Sequence, residues 1–380
     1  MFLSSLFIAL TASAPLLVSA APSRLTRRAA ASDVLVFKFA DVLEQLESAF
    51  YCQALKKFQS SDFTAAGFSS SLIPIEQFKT IQVDEATHST VLQAALKSFG
   101  ETPITSCKFN FAGALTDVAT MAATARVVEN VGVSAYLGGA TLITDPVLLD
   151  AAGSILTVEA RHQTILNILS GTGTAIPAAF DIPLAPNEIL AIAGPFFDGP
   201  CDLGIAANPT LAITNTGTVA PGTKLTFSSS AINGSTDNLF CQMMLGGQPN
   251  SIALPFNNCV VPSGINGPVA IFITSDGQPL VNNIRDRAST QLVAGPTMAF
   301  IDTQPQTIGS LVRGTGSAVA STSTTTISPA EASAIIASAT PVALSTPSLA
   351  NSVISTNGGP NKFTGKSPDG NLIVNGWSST

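Results

Sequence analysis

Two short stretches decide the fold of this chain: Asp-Glu-Ala-Thr-His at residues 84–88 and Glu-Ala-Arg-His at residues 159–162. Each places a glutamate three positions before a histidine, and the whole chain has 2 histidines. Residues spaced i and i+3 lie on one face of an α-helix, about one turn apart. Because glutamate is rare in this sequence, chance is a poor explanation. The spacing indicates two helices that each present a carboxylate and an imidazole on the same face.

Apolar residues at helical spacing extend outward from both stretches and define long helical segments. Four such segments are predicted, at about 33–58, 74–99, 116–143 and 146–170. Pro74 and Pro146 suit the first helical position, Asp145 suits an N-cap, and Gly171 ends the last segment. Four helices of this length favour a four-helix bundle.

The bundle is predicted to hold metal ligands in its core. Known bundles of this kind bind two metal ions with one Glu from each of two helices and a Glu-x-x-His motif from each of the others. The third helix offers Glu129, and the first offers Glu44 and Glu47. Ionisable groups that converge inside an apolar bundle need a cation to compensate their burial. The predicted ligands are Glu44, Glu85, His88, Glu129, Glu159 and His162.

The two tyrosines of the chain favour Glu44 over Glu47 as the ligand on the first helix. Tyr51 and Tyr136 each lie seven residues after a glutamate, Glu44 and Glu129 respectively. Seven residues are about two helical turns, so each tyrosine lies on the face of its glutamate, beside the metal pocket. Both are predicted to act there as hydrogen-bond donors or as groups that quench radicals. Glu47 remains the second choice as ligand, or a partner beside the pocket.

Three segments carry a resemblance to a known family: LEQLESAFY at 43–51, ENVGVSAYLG at 129–138 and EARH at 159–162. They resemble the ferritin-like domain family that includes fungal stress-response and late-sexual-development proteins and plant desiccation-related proteins. The resemblance covers residues 33–171, and the region that begins at residue 199 is similar to the downstream part of the fungal members. It implies a secreted ferritin-like protein linked to stress or development.

The remainder of the chain predicts a leader, a second domain and a tail. Residues 1–20 have the pattern of a signal peptide, and 21–28 that of a short propeptide with a dibasic end, so the mature chain begins near Ala29. The bundle is assigned to 29–175 and a connector to 176–206. Short strand patterns at 210–214, 224–227, 239–243 and 269–274 predict a small β-sandwich-like domain over 207–302. Ser/Thr-rich residues 303–380 predict a disordered tail.

The cysteines indicate an oxidising compartment. Five cysteines without zinc-type spacing suit a secreted protein, extracellular or in the cell wall. Cys241–Cys259 is the first predicted disulfide, because both residues lie in the β-rich region, and Cys107–Cys201 is the second. This pairing leaves Cys52 as the unpaired thiol, inside the first helix.

Charge and hydropathy exclude two classes of partner. The net charge of −7 and the pI of about 4.8 offer no basic patch for nucleic acid. The long uncharged stretches are interrupted by Pro, Gly, Asn and Thr, so no membrane-spanning helix is predicted. Asn233 begins a glycosylation sequon.

Three functions fit the predicted site. Carboxylate and imidazole ligands suit two ions of iron or manganese, which would support a redox enzyme such as a ferroxidase, a peroxidase or a manganese-catalase-like enzyme. The second function is sequestration of metal without turnover. The third is a non-catalytic cell-wall or spore-associated structural protein that uses the bundle as a scaffold and contacts cell-wall material. Fold alone does not choose between them.

Overall fold

A computed structural model describes residues 29–314, together with the backbone of two short strands, Gly365–Lys366 and Ile373–Val374. Residues 29–314 fall within one compact unit. The signal peptide and propeptide predicted at 1–28, and most of the tail predicted at 303–380, lie outside the described residues.

Four long helices form the first half of the described chain, as predicted. The helices are α1 (Ala31–Lys57), the short α2 (Ser60–Ala65), α3 (Leu72–Ser98), α4 (Val118–Ala140) and α5 (Pro146–Ser170). α1 packs mainly against α3, and α4 mainly against α5, while α1 also contacts α4. This arrangement is the four-helix bundle that the helical periodicity predicts.

Local sequence sets the ends of α4 and α5. The Asp117 carboxylate accepts a 2.8 Å hydrogen bond from the Thr120 amide and so caps α4. Asp145 caps α5 in the same way, and Pro146 occupies its first position. Gly171 ends α5 with φ of 76°, a left-handed conformation that glycine adopts without steric cost.

The predicted connector contains regular structure that the sequence patterns did not reveal. Helix α6 (Pro186–Ala193) and a 3₁₀ turn (Gly194–Phe196) lie within it. The connector packs closely on α4, where the Leu184 amide donates to the Ser134 carbonyl at 3.1 Å. A Cβ on Gly138 would lie 2.0 Å from the Leu184 carbonyl oxygen, so only glycine permits this approach.

The second half of the described chain is a small β region. Its strands are β1 (Ala212–Ile213), β2 (Phe227–Ser228), β3 (Phe240–Met244), β4 (Ile252–Pro255), β5 (Gly267–Thr274) and β6 (Leu292–Ile301). β1 pairs with β2, and the others form an antiparallel sheet in the order β4-β3-β5-β6. β4 and β6 are absent from the sequence-based prediction. The Gly-Pro pair at 295–296 lies where the pairing of β6 with β5 shifts, and such a pair is usually a signal against a strand.

The sheet has an apolar residue on both faces of its central strand. On β5, Val269 and Ile271 join an apolar cluster with Leu211, beside β1. The alternate residues Ala270 and Phe272 join the core cluster of the helical bundle. Because successive side chains of a strand point to opposite faces, β5 connects two cores.

Two disulfides and a seventh helix complete the described part. The disulfides are Cys107–Cys201 and Cys241–Cys259, the pairs expected from the sequence, and Cys52 is free. Helix α7 (Thr307–Val312) lies in the predicted tail, where Arg313 donates to backbone carbonyls of the bundle. The start of that tail is therefore packed on the bundle. None of the described helices is long and apolar enough to cross a membrane.

Candidate metal centre

The structure brings all six predicted ligands together in the core of the bundle. They form two overlapping groups, and within each the ligand atoms lie within 4.8 Å of one another. One group is Glu44, Glu85, His88 and Glu159, and the other is Glu85, Glu129, Glu159 and His162. Glu85 and Glu159 belong to both groups, so the two groups share these two carboxylates.

Each long helix contributes to the centre at the face that its spacing predicts. Glu44 comes from α1 and Glu129 from α4, while α3 and α5 contribute the two Glu-x-x-His motifs. Glu44, Glu85, Glu129 and Glu159 are all 0% exposed. Arg161, between the two ligands on α5, is exposed and points away from the centre.

The Nδ1 atom of each imidazole lies close to more carboxylates than one N–H group can donate to. His88 Nδ1 lies 3.2 Å from Glu44 and from Glu85, and 3.4 Å from Glu159. His162 Nδ1 lies 2.8 Å from Glu85 and 3.2 Å from Glu129. An imidazole N–H donates one hydrogen bond, so most of these oxygens receive none from it. Nitrogen and carboxylate oxygens that converge in this way fit a metal cation.

Asp84 lies beside the centre and is absent from the sequence-based prediction. Its Oδ2 lies 3.1 Å from His162 Nε2, on the side of the ring away from the carboxylate cluster. Once a cation has displaced the proton on Nδ1, a hydrogen bond from Nε2 to Asp84 holds the tautomer whose Nδ1 lone pair faces the cluster, which is the tautomer that binds metal. The signal was its position directly before Glu85. The equivalent position on α5 is Val158, so His88 has no matching partner there.

The two tyrosines lie beside the centre, and their hydrogen bonds cross between helices. Tyr51 on α1 donates to Glu129 on α4 at 2.6 Å, and Tyr136 on α4 donates to Glu44 on α1. Burial raises the pKa of both hydroxyls, which keeps them protonated as donors. Each tyrosine therefore donates its hydrogen bond to the glutamate of the other helix.

The carboxylates influence one another strongly. Burial, and after it repulsion between neighbouring carboxylates, raises the pKa of the side chains of Glu44, Glu47, Glu129 and Glu159. Burial acts on Glu85 in the same direction. Its hydrogen bonds with His162, His88 and Glu44 outweigh burial and lower the pKa of Glu85 to about 2.

The imidazoles respond in the opposite sense to their surroundings. Burial alone would lower the pKa of His88, yet the carboxylates of Glu159 and Glu44 raise it to about 12. Glu129 and Glu85 likewise overcome burial and raise the pKa of His162 to about 11. A cation that binds here therefore displaces protons.

The remaining predicted residues lie at the edge of the centre or away from it. Glu47 is 3% exposed and lies near the carboxylate cluster, but it belongs to neither group of converging ligand atoms. Asn233 is exposed in the β region, where its side-chain amide donates to the Ser230 carbonyl. Its glycosylation stays a prediction.

Fold and site together define a helical-bundle protein with a buried carboxylate and histidine cluster between its helices. Residues 32–172 match the family model of the ferritin-like domain, so this segment is a ferritin-like domain, as the resemblance implied. A comparison with curated proteins finds no match to the chain.

Proposed function

We propose that this protein binds two ions of iron or manganese at a carboxylate-bridged centre and handles metal or oxidants. The observation that carries the proposal is the pair of overlapping groups that share Glu85 and Glu159. Glu44 and His88 complete one position, and Glu129 and His162 the other. Two imidazoles among fully buried carboxylates are the donor set that iron and manganese prefer.

A bound pair of these ions would supply redox chemistry toward oxygen or peroxide. The chain contributes the shape and charge of the site. Glu85 and Glu159, shared by both groups, would hold the two ions together, and Asp84 would fix the ring of His162. Tyr51 and Tyr136 donate hydrogen bonds to Glu129 and Glu44 and so hold protons beside the candidate ligands.

Secretion and a role in stress or development are part of the proposal. Two disulfides are typical of an oxidising compartment, and the apolar leader at residues 1–20 has the composition of a signal peptide. The stress and development role rests on the resemblance to the fungal and plant proteins.

Elemental analysis of protein purified from its native medium is the first test, followed by assays of oxygen and peroxide consumption. We expect two ions of iron or manganese per chain, and none in a His88→Ala/His162→Ala variant. Arg161→Ala, which changes an exposed neighbour of His162, serves as the control and retains both ions. Turnover would identify an enzyme, and metal without turnover would indicate sequestration. Wild-type protein that takes up neither metal would contradict the proposal and favour the scaffold role.

A further inference from the structure

Glu47 is a buried carboxylate that the six-ligand centre leaves without a role. It lies on α1 one turn after Glu44 and is 3% exposed. Within the described part of the chain it accepts no hydrogen bond and forms no ion pair. A buried carboxylate is normally paired, hydrogen-bonded or bound to a metal.

The cavity beside Glu47 offers its carboxylate no hydrogen-bond donor. On one side it borders an apolar cavity of about 20 Å³, whose other lining residues are Leu43, Leu46, Val127, Val128, Val131, Ile192, Ala193 and Phe196. None of these side chains can donate a hydrogen bond. Glu47 also lies near Glu159, a carboxylate that belongs to both ligand groups of the centre.

The internal repeat of the bundle shows what is unusual about this position. Glu44 and Tyr51 on α1 correspond to Glu129 and Tyr136 on α4, with the same spacing of seven residues. The residue that corresponds to Glu47 is then Gly132. A Cβ on Gly132 would lie 3.1 Å from Glu47 Oε1 and 2.5 Å from Glu159 Oε2. One half of the repeat thus has an extra carboxylate, and the other half has a glycine that leaves space for it.

One carboxylate oxygen of Glu47 and one of Glu159 both lie beside this glycine. Both oxygens of Glu159 are buried and have no well-formed hydrogen bond from the described residues. Two ionised carboxylates near each other in a buried site repel each other, and a cation that binds both removes the repulsion. Carboxylate oxygens without hydrogen bonds, next to the space left by a glycine, are what a metal-binding position requires.

We propose that Glu47 is a seventh ligand of the centre and that Gly132 provides the space for its carboxylate beside Glu159. The inference rests on the proposed function, because it requires a bound pair of ions. It makes the two metal positions unequal, since only α1 supplies the extra carboxylate. Four ionised carboxylates balance two divalent ions, so the fifth favours a pair that includes a trivalent ion. Iron and manganese reach that state, whereas zinc does not.

Calorimetric titration of the full metal-free chain with Mn²⁺ tests the inference. We expect two Mn²⁺ for the wild type, and for Glu47→Gln one unchanged site and one weakened at least about tenfold. Glu76→Gln is the matched control, because Glu76 is an exposed glutamate of α3 and should bind as the wild type does.

A second variant keeps the test independent of folding. Glu47→Leu places an apolar side chain against the apolar cavity, and it should show the same selective loss of one site. Two unchanged sites in either folded variant would overturn the role of Glu47 while leaving the proposed function intact. Wild-type protein that binds neither Mn²⁺ nor, in the same titration without oxygen, Fe²⁺ would overturn both.

Discussion

Asp84 gives His162 an orientation that His88 lacks. The hydrogen bond at Nε2 fixes which nitrogen of the ring faces the carboxylates, and the corresponding position on α5 is a valine. Asp84 is also the most exposed member of the site, with 38% of its side chain accessible. The two histidines therefore have the same sequence pattern, but only His162 has a carboxylate that orients its ring.

Asp84→Asn tests that support. The amide keeps the size of the side chain but removes its charge, so the metal-binding tautomer of His162 loses its electrostatic stabilisation. We expect a loss of about tenfold in affinity for one ion of the pair, the range measured for such supporting groups. Mn²⁺ titration provides the measurement, with the exposed Asp150→Asn on α5 as control. Equal affinities in both variants would show that Asp84 does not position the ring.

Gly132→Ala and Gly153→Ala should change stability in opposite directions. In an open helical position, alanine stabilises by up to about 1 kcal/mol relative to glycine. A Cβ on Gly153 of α5 would have no neighbouring atom within 4 Å, whereas a Cβ on Gly132 would meet Glu159 Oε2 at 2.5 Å. We expect Gly153→Ala to raise the midpoint of urea unfolding, and Gly132→Ala to lower it and to weaken Mn²⁺ binding. A stabilised Gly132→Ala variant with normal binding would contradict this geometry.

The sequence predicts the six converging residues because helical spacing and the scarcity of histidine leave few choices. It does not predict the contact of Asp84 with His162, which joins α3 to α5 and depends on how far these helices are rotated about their axes. The crossing of the tyrosine hydrogen bonds has the same origin. Spacing along one helix places Tyr51 on the face of Glu44, but only the packing of α1 on α4 brings its hydroxyl to Glu129.

At the level of elements, the crossed tyrosines join α1 to α4. These two helices share fewer contacts than α1 has with α3, or α4 with α5. Two hydrogen bonds from tyrosine to buried glutamate therefore support the least extensive of these three helix pairs.

Tyr51→Phe and Tyr136→Phe should each destabilise the metal-free protein by about 1–2 kcal/mol, because hydrogen bonds to charged groups contribute in this range. The repeat predicts similar effects at the two positions. Urea unfolding of the metal-free chain gives the free energies. Thr87→Val is the control, since the only hydrogen bond of its hydroxyl among the described residues goes to the Val83 carbonyl within α3. Losses below those of the control would show that the tyrosines do not stabilise the α1–α4 pair.

The sequence predicts the long helices, in which apolar residues recur at a regular helical spacing. α1, α3, α4 and α5 have several turns each and defined ends. Helix α6 has two turns between Pro- and Gly-rich segments, and β6 contains a Gly-Pro pair, so their local patterns resemble those of loops. Both depend on tertiary contacts, α6 with α4 and β6 with β5.

At the level of the whole molecule, a buried ion pair links the bundle to the end of the sheet. The two guanidinium nitrogens of Arg126 donate to Asp302 at 2.8 Å each, and its Nε donates to Asn167 at 2.7 Å. Only 7% and 10% of the two side chains are exposed, and the guanidinium stacks on Phe300. Removal of either partner would leave a buried charge unpaired.

Asp302→Asn should lower the free energy of unfolding by about 3 kcal/mol at pH 7. Burial raises the pKa of Asp302, but the hydrogen bonds from Arg126 outweigh it and lower the pKa. The pair therefore stabilises the fold fully above about pH 4, where unfolded Asp is ionised, and less as the pH falls further. Urea unfolding at pH 7 and pH 3 should show the difference from wild type shrinking at pH 3. Asp198→Asn, an exposed control, should show little difference at either pH.

The apolar residues that the sheet places against the helices determine where the chain can be truncated without loss of the fold. Met244, Phe272 and Met298 belong to the core cluster of the bundle, although they lie far beyond the segment that matches the ferritin-like domain. A truncated gene product that stops at residue 175 would expose the helix surface they cover, and it should aggregate. In a scanning calorimeter the intact chain should melt in one peak. Recombination in evolution could therefore transfer this ferritin-like domain only together with a segment whose apolar residues cover the same helix surface.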